Sequence, residues 1–505
     1  MASLYQLITV VSGINMDNSE TETVSGSSPP GRYQYAFLLL GALILAAFFR
    51  LKGLAFQSMW LDEISTLWYC SPERSFSIIF DYCLNGEVNP PFFYFLIWIW
   101  QKAFGTAEYT VRLLPAIAGI LGVAAIYLLG RELFSPRSGI YAALLAALLP
   151  IHIYYSQEVR GYSLIFLLCT LSFLFMIRIL KKHNVPDVAM YTVFTALMLY
   201  THYYGLFVYA AQLLFLAVYF LLYRKVVSLS SLKYMVFSIL LVVFIYLPWL
   251  PTIRKMAEVQ NFWAGNPGHY FFITYFTSYF GREPFVYLIS LLLIGLYLFC
   301  RSPGREFCGH KILLLSWVIV VLALPFIRSL DHRHPSLFHI RYTIVIVPAL
   351  LLMVSRGIEQ IRSLRFQCVV IATMLIMLAA NIFFFSPGNY YRQVTKEQWR
   401  EAARFIIGQD PVGRYPVYAP PYSEYYFKEI FRTCIQIRPP IATLEDAKKC
   451  WEEVSTGRIA GFWHFEAHLF SGDEVHGFLD SHFYKAEERW WLGTRVTLYL
   501  PAREK

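Results

Sequence analysis

Apolar stretches long enough to cross a membrane recur along this chain, and no other feature limits its fold as strongly. They lie near Gln34–Phe49, Arg112–Leu129, Gly139–Tyr155, Tyr162–Leu180, Val188–Tyr203, Leu206–Tyr223, Tyr234–Ile253, Pro284–Cys300, Ile312–Ile327, Tyr342–Ser355 and Gln367–Phe385. At 1.5 Å per residue, each approaches the length an α-helix needs to cross ~30 Å of hydrocarbon. The chain is 57% hydrophobic and 15% charged, whereas about 25% of an average soluble domain is charged. The expected fold is therefore mainly α: a polytopic membrane helical bundle of about eleven transmembrane helices. The net charge of +10 does not indicate nucleic acid, because the basic residues sit in short segments between apolar runs, where membrane topology puts them.

Three regions are expected. Residues 1–33 are mostly polar, with a Ser-Gly-Ser-Ser-Pro-Pro tract, and read as a disordered cytoplasmic tail. Residues 34–386 form the transmembrane domain. Residues 387–505, richer in charge, form a small α/β domain. Loops counted alternately from a cytoplasmic N-terminus place Arg131/Arg137, Lys181/Lys182, Arg224/Lys225/Lys233, Arg301/Arg305/Lys311 and Arg356/Arg362/Arg365 on one side. That bias puts a long first loop, 51–111, and the C-terminal domain outside the cytoplasm. Arg50 and Lys52, directly after the first run, go against the rule. The aromatic stretch Pro90–Phe104 is short for a span and is kept within the outer loop as an interfacial helix.

In the C-terminal domain, Thr395 and Gln398 have capping-box spacing ahead of Trp399, Ala402, Ala403 and Ile406, which share one helix face. A second helix is expected at Leu444–Val454, and strands at Pro416–Ala419 and Thr494–Leu500. Cys70 with Cys83, and Cys434 with Cys450, could pair locally in an oxidising compartment.

The chemistry concentrates just beyond the first apolar run, where Ser58-Met-Trp-Leu-Asp-Glu-Ile-Ser-Thr66 carries the adjacent acids Asp62 and Glu63. A carboxylate costs about 2.5–3.5 kcal/mol at a bilayer centre, so an acid pair belongs at an interface or in a wet cavity. Glu158 and Arg160 occupy a tight turn between two spans, His202 another turn, and Arg341 with Tyr342 the head of a span. With Asn89, Lys102 and Arg112 these groups would face one cavity at the outer surface. Such a cavity suits group transfer from a lipid phosphate: a carboxylate deprotonates an incoming hydroxyl and arginines hold the departing phosphate.

At Trp60-Leu-Asp-Glu-Ile-Ser, Asn89-Pro-Pro-Phe-Phe-Tyr, Val111-Arg-Leu-Leu-Pro, Leu129-Gly-Arg-Glu-Leu-Phe, Tyr155-Ser-Gln-Glu-Val-Arg-Gly-Tyr, Thr201-His-Tyr and Arg341-Tyr, the chain resembles the polyprenyl-phosphate-dependent glycosyltransferases of the GT-C fold, of the protein O-mannosyltransferase and aminoarabinose transferase type. The resemblance implies inverting transfer of one sugar from a polyprenyl-phosphate donor to an extracytoplasmic protein, lipid or glycan, in the cytoplasmic membrane. It makes Asp62 the essential acid, as base or as ligand to a divalent metal ion shared with Glu158. Glu63 becomes its supporting neighbour, Glu158 a second carboxylate near the acceptor, and Arg341 and Arg160 the donor-phosphate ligands. Many relatives carry His or Lys where this chain has Asn89, so no cation is expected there. The rival reading is a transporter or flippase of lipid-linked substrates. It calls for polar groups at mid-membrane and an inverted repeat, whereas the polar groups here lie at the outer helix ends.

Overall fold

A computed structural model describes residues 31–85, 89–225, 227–258, 271–281, 284–300, 307, 309–330, 336–385, 391–468 and 470–502. The expected tail therefore lies almost wholly outside the described residues. The membrane region runs through α1 (Gly31–Leu51), α2 (Leu61–Tyr69), α3 (Phe76–Asn85), α4 (Phe92–Phe104), α5 (Glu108–Leu133), α6 (Pro136–Leu148), α7 (Pro150–Ser156), α8 (Tyr162–Lys182) and α9 (Val185–Leu199). It continues through α10 (Tyr204–Leu222), α11 (Leu229–Tyr246), α12 (Leu250–Glu258), α13 (Phe271–Phe280), α14 (Pro284–Phe299), α15 (His310–Ser329), α16 (Val347–Glu359) and α17 (Leu364–Ala380).

Among the described residues, eight helices are long and apolar enough to cross a membrane, and up to ten if α6 with α7 and α13 with α14 each count as one bent span. The shorter apolar helix α9 takes the place of the remaining expected run. The thirteen residues of α4 extend only about 20 Å as an α-helix, too little to cross. Local sequence sets several starts: Ser135, Asn184, Ser228 and Ser363 each accept a backbone N–H three residues on, capping α6, α9, α11 and α17.

The two basic residues at the end of α1 do not carry topology. The span made of α6 and α7 bends by 61° at Pro150, which has no N–H to offer the carbonyl of Ala146. Arg50, fully buried, supplies the missing donors: its guanidinium bonds the carbonyls of Ala146 at 3.0 Å and Ala147 at 3.1 Å, and Nδ1 of His152 at 2.9 Å. Gln157 closes the other end, donating to the carbonyls of Phe49, Arg50 and Lys52. Lys52 rests its ammonium near the rings of Phe48, Phe383 and Tyr391. Helices α5 and α6 meet through Gly130 and Gly139, where a Cβ on Gly139 would fall 2.6 Å from the carbonyl oxygen of Tyr127.

The C-terminal region comprises α18 (Trp399–Gln409), β1 (Val417–Tyr418), β2 (Ile437–Arg438), α19 (Leu444–Ser455), β3 (Phe462–Ala467), α20 (Asp473–His482), β4 (Phe483–Trp491) and β5 (Thr494–Pro501). Its five strands lie in the order β2-β1-β3-β5-β4, parallel from β2 to β3 and antiparallel from β3 to β4. Strand β3 alternates as a pleat requires. Trp463 and Phe465 join the core with Trp399, Ala402, Ala403 and Ile406 of α18, while Phe462 packs with residues of α19 and α20. The expected helix face is thus buried, but the helix begins later. Gln398 is the residue before its first turn and makes no side-chain cap, and the N–H of Thr395 donates instead to Gln57. The capping box of this region lies elsewhere, between Thr443 and Asp446 at the head of α19. Cys70, Cys83, Cys434 and Cys450 are all thiols, so neither expected disulfide is formed.

Candidate active site

Trp60 is extended, with φ −104° and ψ 172°, and turns the chain into α2. Asp62 and Glu63 occupy the first helical turn, where the helix dipole favours negative charge. Neighbours on a helix point about 100° apart, so the two acids meet different surroundings. The Asp62 side chain is 25% exposed and that of Glu63 is fully buried.

Glu63 is gripped from three directions. Arg112, at the head of α5, donates from Nε to Oε1 at 2.9 Å and from Nη2 to Oε2 at 2.7 Å. The N–H of Val159 donates to Oε1 at 2.9 Å, and Nζ of Lys396 stands 3.1 Å from Oε2. Burial alone would raise the Glu63 pKa, but Arg112 and Lys396 more than offset it and hold it at about 2. Arg112 also bonds the carbonyls of Leu54, Gln57 and Ser58, so this pair fixes the chain that leads into α2.

Lys396 bridges two acids, standing 3.1 Å from Glu158 as well as from Glu63. Glu158 is itself buried. Burial raises its pKa against the pull of Lys396, and the negative charge of Glu63 adds to the rise. The C-terminal segment that brings Lys396 in is anchored beside it. Glu397 accepts from the N–H of Leu61 at 3.2 Å. Arg400 bonds Glu108 at 2.5 Å and the carbonyls of Ala55 and Phe56 at 2.9 Å.

Asp62 faces Arg341, whose Nη1 lies 2.7 Å from Oδ2, while Oδ1 takes no hydrogen bond from any described residue. Arg341 directly precedes the short 3₁₀ turn Tyr342–Ile346 and stands over the rings of Trp60 and Tyr342. Arg160 donates to Thr66 Oγ1 at 2.9 Å, and 3.5 Å separates it from the carbonyl of Asp62. His202 lies among Tyr162, Tyr204 and Tyr342. Burial first, then Arg160 and Arg341, lowers its pKa to about 3, so it is a neutral wall and not a cation. His339 is lowered to about 4 by burial and by Arg341.

The structure therefore gathers Asp62, Glu63, Glu158, Arg112, Arg160 and Arg341 about the head of α2, with Tyr342 and His202 on the Arg341 side. Lys102 does not join them: it is exposed and its ammonium sits 3.8 Å from the Trp98 ring. Asn89 is half-buried in the turn before α4. Lys396 is the member that sequence reasoning missed. It stands in a polar stretch with no apolar period around it, and only the docking of Glu397 and Arg400 on the first loop carries it inward.

A divalent ion held by Asp62 and Glu158 would have to displace the cations that stand on both carboxylates, Arg341 and Lys396. Asp62 is paired with Arg341, Glu63 with Arg112 and Lys396, and Glu158 with Lys396. The one group of three metal-binding side chains among the described residues is elsewhere, at His464, Glu466 and His476. A carboxylate open to solvent, with Arg341 on one oxygen and Arg160 near its backbone carbonyl, suits taking a proton from a hydroxyl while the arginines hold phosphate oxygens.

The family model for dolichyl-phosphate-mannose-protein mannosyltransferase matches residues 88–250. A search of the curated proteins finds no match to the sequence. Among solved structures, the fold is similar to ArnT from Cupriavidus metallidurans in the apo state, with a TM-score of 0.63, 13% identity, and coverage of 92% of this chain and 98% of that one. The same protein bound to undecaprenyl phosphate gives a TM-score of 0.61 at 12% identity, with the same coverage. The archaeal oligosaccharyltransferase AglB from Archaeoglobus fulgidus, in complex with an inhibitory peptide and a dolichol-phosphate, gives 0.54 at 12% identity over 94% of this chain and 75% of that one. The chain is thus a multispanning membrane protein with the fold of the GT-C polyprenyl-phosphate-dependent glycosyltransferases, and its segment 88–250 matches the mannosyltransferase family within them.

Proposed function

We propose that this protein is a glycosyltransferase that moves one sugar from a polyprenyl-phosphate donor to an extracytoplasmic protein, lipid or glycan, with inversion. The observation that carries the reading is Asp62: the one open carboxylate of the cluster, with Oδ2 on Arg341 and Oδ1 facing no described donor. The acceptor hydroxyl oxygen attacks the anomeric carbon as its proton passes to Asp62. The bond from that carbon to the phosphate oxygen breaks, and the electron pair leaves with the polyprenyl phosphate. Arg341 and Arg160 hold the phosphate as its charge grows. Glu63 positions α2 through Arg112 and Lys396, and Glu158 is a second carboxylate behind the acceptor. Tyr342 and His202 shape the wall, with Asn89 at the rim. Arg112 orients Glu63 and the loop before α2, and Lys102 takes no part.

The site opens outside the cytoplasmic membrane, with the N-terminus inside and residues 387–505 as an outer domain, on the strength of the loop charges. A transporter or flippase gains no support from the likenesses above. Purified protein given a lipid-linked sugar and membrane extract should release polyprenyl phosphate and place the sugar on an extract component, read by mass spectrometry. Absence of both products across the common polyprenyl-phosphate sugars would reject the reading.

A further inference from the structure

Away from the cluster at Asp62, we propose that His464, Glu466 and His476 form a zinc-type metal site in the C-terminal region. Residues 464 and 466 are two apart on β3 and so share a face of the sheet, the face that packs on α20, which carries His476 in its first turns. One donor atom from each lies within 4.8 Å of the others. His476 Nε2 is 3.1 Å from Glu466 Oε1, and His464 Nδ1 is 3.8 Å from Glu466 Oε2. Zinc bonds of 2.0–2.1 Å set tetrahedral edges of about 3.3 Å, so donors within 4.8 Å of one another need a small inward movement to meet one ion. Two imidazoles and a carboxylate are a common zinc donor set that leaves a fourth position for water.

His464 supplies an independent sign. It is 1% exposed, yet its Nδ1 has no hydrogen-bond partner, a costly state for a buried polar atom. Its other ring nitrogen stands 3.5 Å from Ser471 Oγ, and the N–H of Ser471 donates to Glu466 Oε1, so both ligands have outer partners that orient them. Arg495, directly across from Glu466 on β5, contests the place: its Nε is 2.6 Å from Glu466 Oε2, and it also bonds the His476 ring. In that position its guanidinium also lies 4.5 Å from the Trp490 ring. Guanidinium and metal therefore exclude each other. A bound ion would tie β3 to α20, and β3 is followed directly by His468, whose Nδ1 is 2.8 Å from Glu397 Oε1, next to Lys396.

The test is titration of the untagged full-length protein in detergent with Co²⁺ alone, followed by its visible ligand-field absorption, with zinc content measured by mass spectrometry. One equivalent should bind with a tetrahedral spectrum. His476→Ala, at a partly exposed position that tolerates truncation, should weaken binding roughly tenfold or more, and Arg495→Gln should tighten it. A wild type that gives no such band, or a His476→Ala variant with unchanged affinity, overturns the proposal and leaves an ion-pair cluster only.

Discussion

Two adjacent acids divide the labour at the site because one faces cations on every side and the other faces one arginine and open space. Glu63 is held at about 2, below the ordinary carboxylate value, so its stabilising charge is complete above about pH 4.5 and is lost as pH falls toward 2. A shift of that size corresponds to on the order of 3 kcal/mol. The wild type should lose thermal stability steeply through that window, while Glu63→Gln should start lower at neutral pH and respond less; equal slopes would contradict the role. For Arg341, Ala should cost transfer about 10²–10³-fold. Lys, which keeps the charge but not the planar fork, should recover only part of it. Rates for both variants, with donor affinity measured alongside, check this. Asp62, Glu63 and Arg341 were legible in the sequence because acids and arginines at helix ends are rare enough to stand out in an apolar chain. Lys396 was not, since a lysine in a polar segment carries no local mark of burial.

At the scale of elements, the apolar runs marked every span, and the breaks were harder to see. Pro150 bends its span, and Arg50, which looked like a misplaced topological charge, serves the carbonyl that the proline strands. Thr395 and Gln398 had the spacing of a cap, but tertiary hydrogen bonds to Gln57 and Leu492 took those groups and moved the helix start to Trp399. The α5–α6 crossing depends on Gly139, whose missing Cβ leaves room for the backbone of Tyr127. Gly139→Val should force the helices apart and lower the detergent-solubilised Tm, with loss of monodisperse protein on gel filtration. An unchanged Tm would show that the crossing relaxes freely.

For the whole molecule, the C-terminal region completes the membrane site as well as covering it, since Lys396, Glu397 and Arg400 all reach the first loop. That juxtaposition puts the cluster and the C-terminal region on one side of the bundle, and the topology proposed from the loop charges makes it the outer side. With the native cysteines, exposed Cys434 among them, replaced by serine, Val412→Cys, at a position 79% exposed, should react with a membrane-impermeant maleimide added outside intact cells; reaction only after lysis would invert the topology. The sequence pattern carried the bundle and its α/β appendage, but not their docking, which depends on side chains some three hundred residues apart.

The most direct measurement is sugar transfer by Asp62→Asn against wild type, at matched amounts of membrane-inserted protein. A base at Asp62 requires a loss of about 10²–10⁴-fold in transfer, with polyprenyl-phosphate binding retained through Arg341 and Arg160. Transfer by Asp62→Asn at the wild-type rate would contradict it.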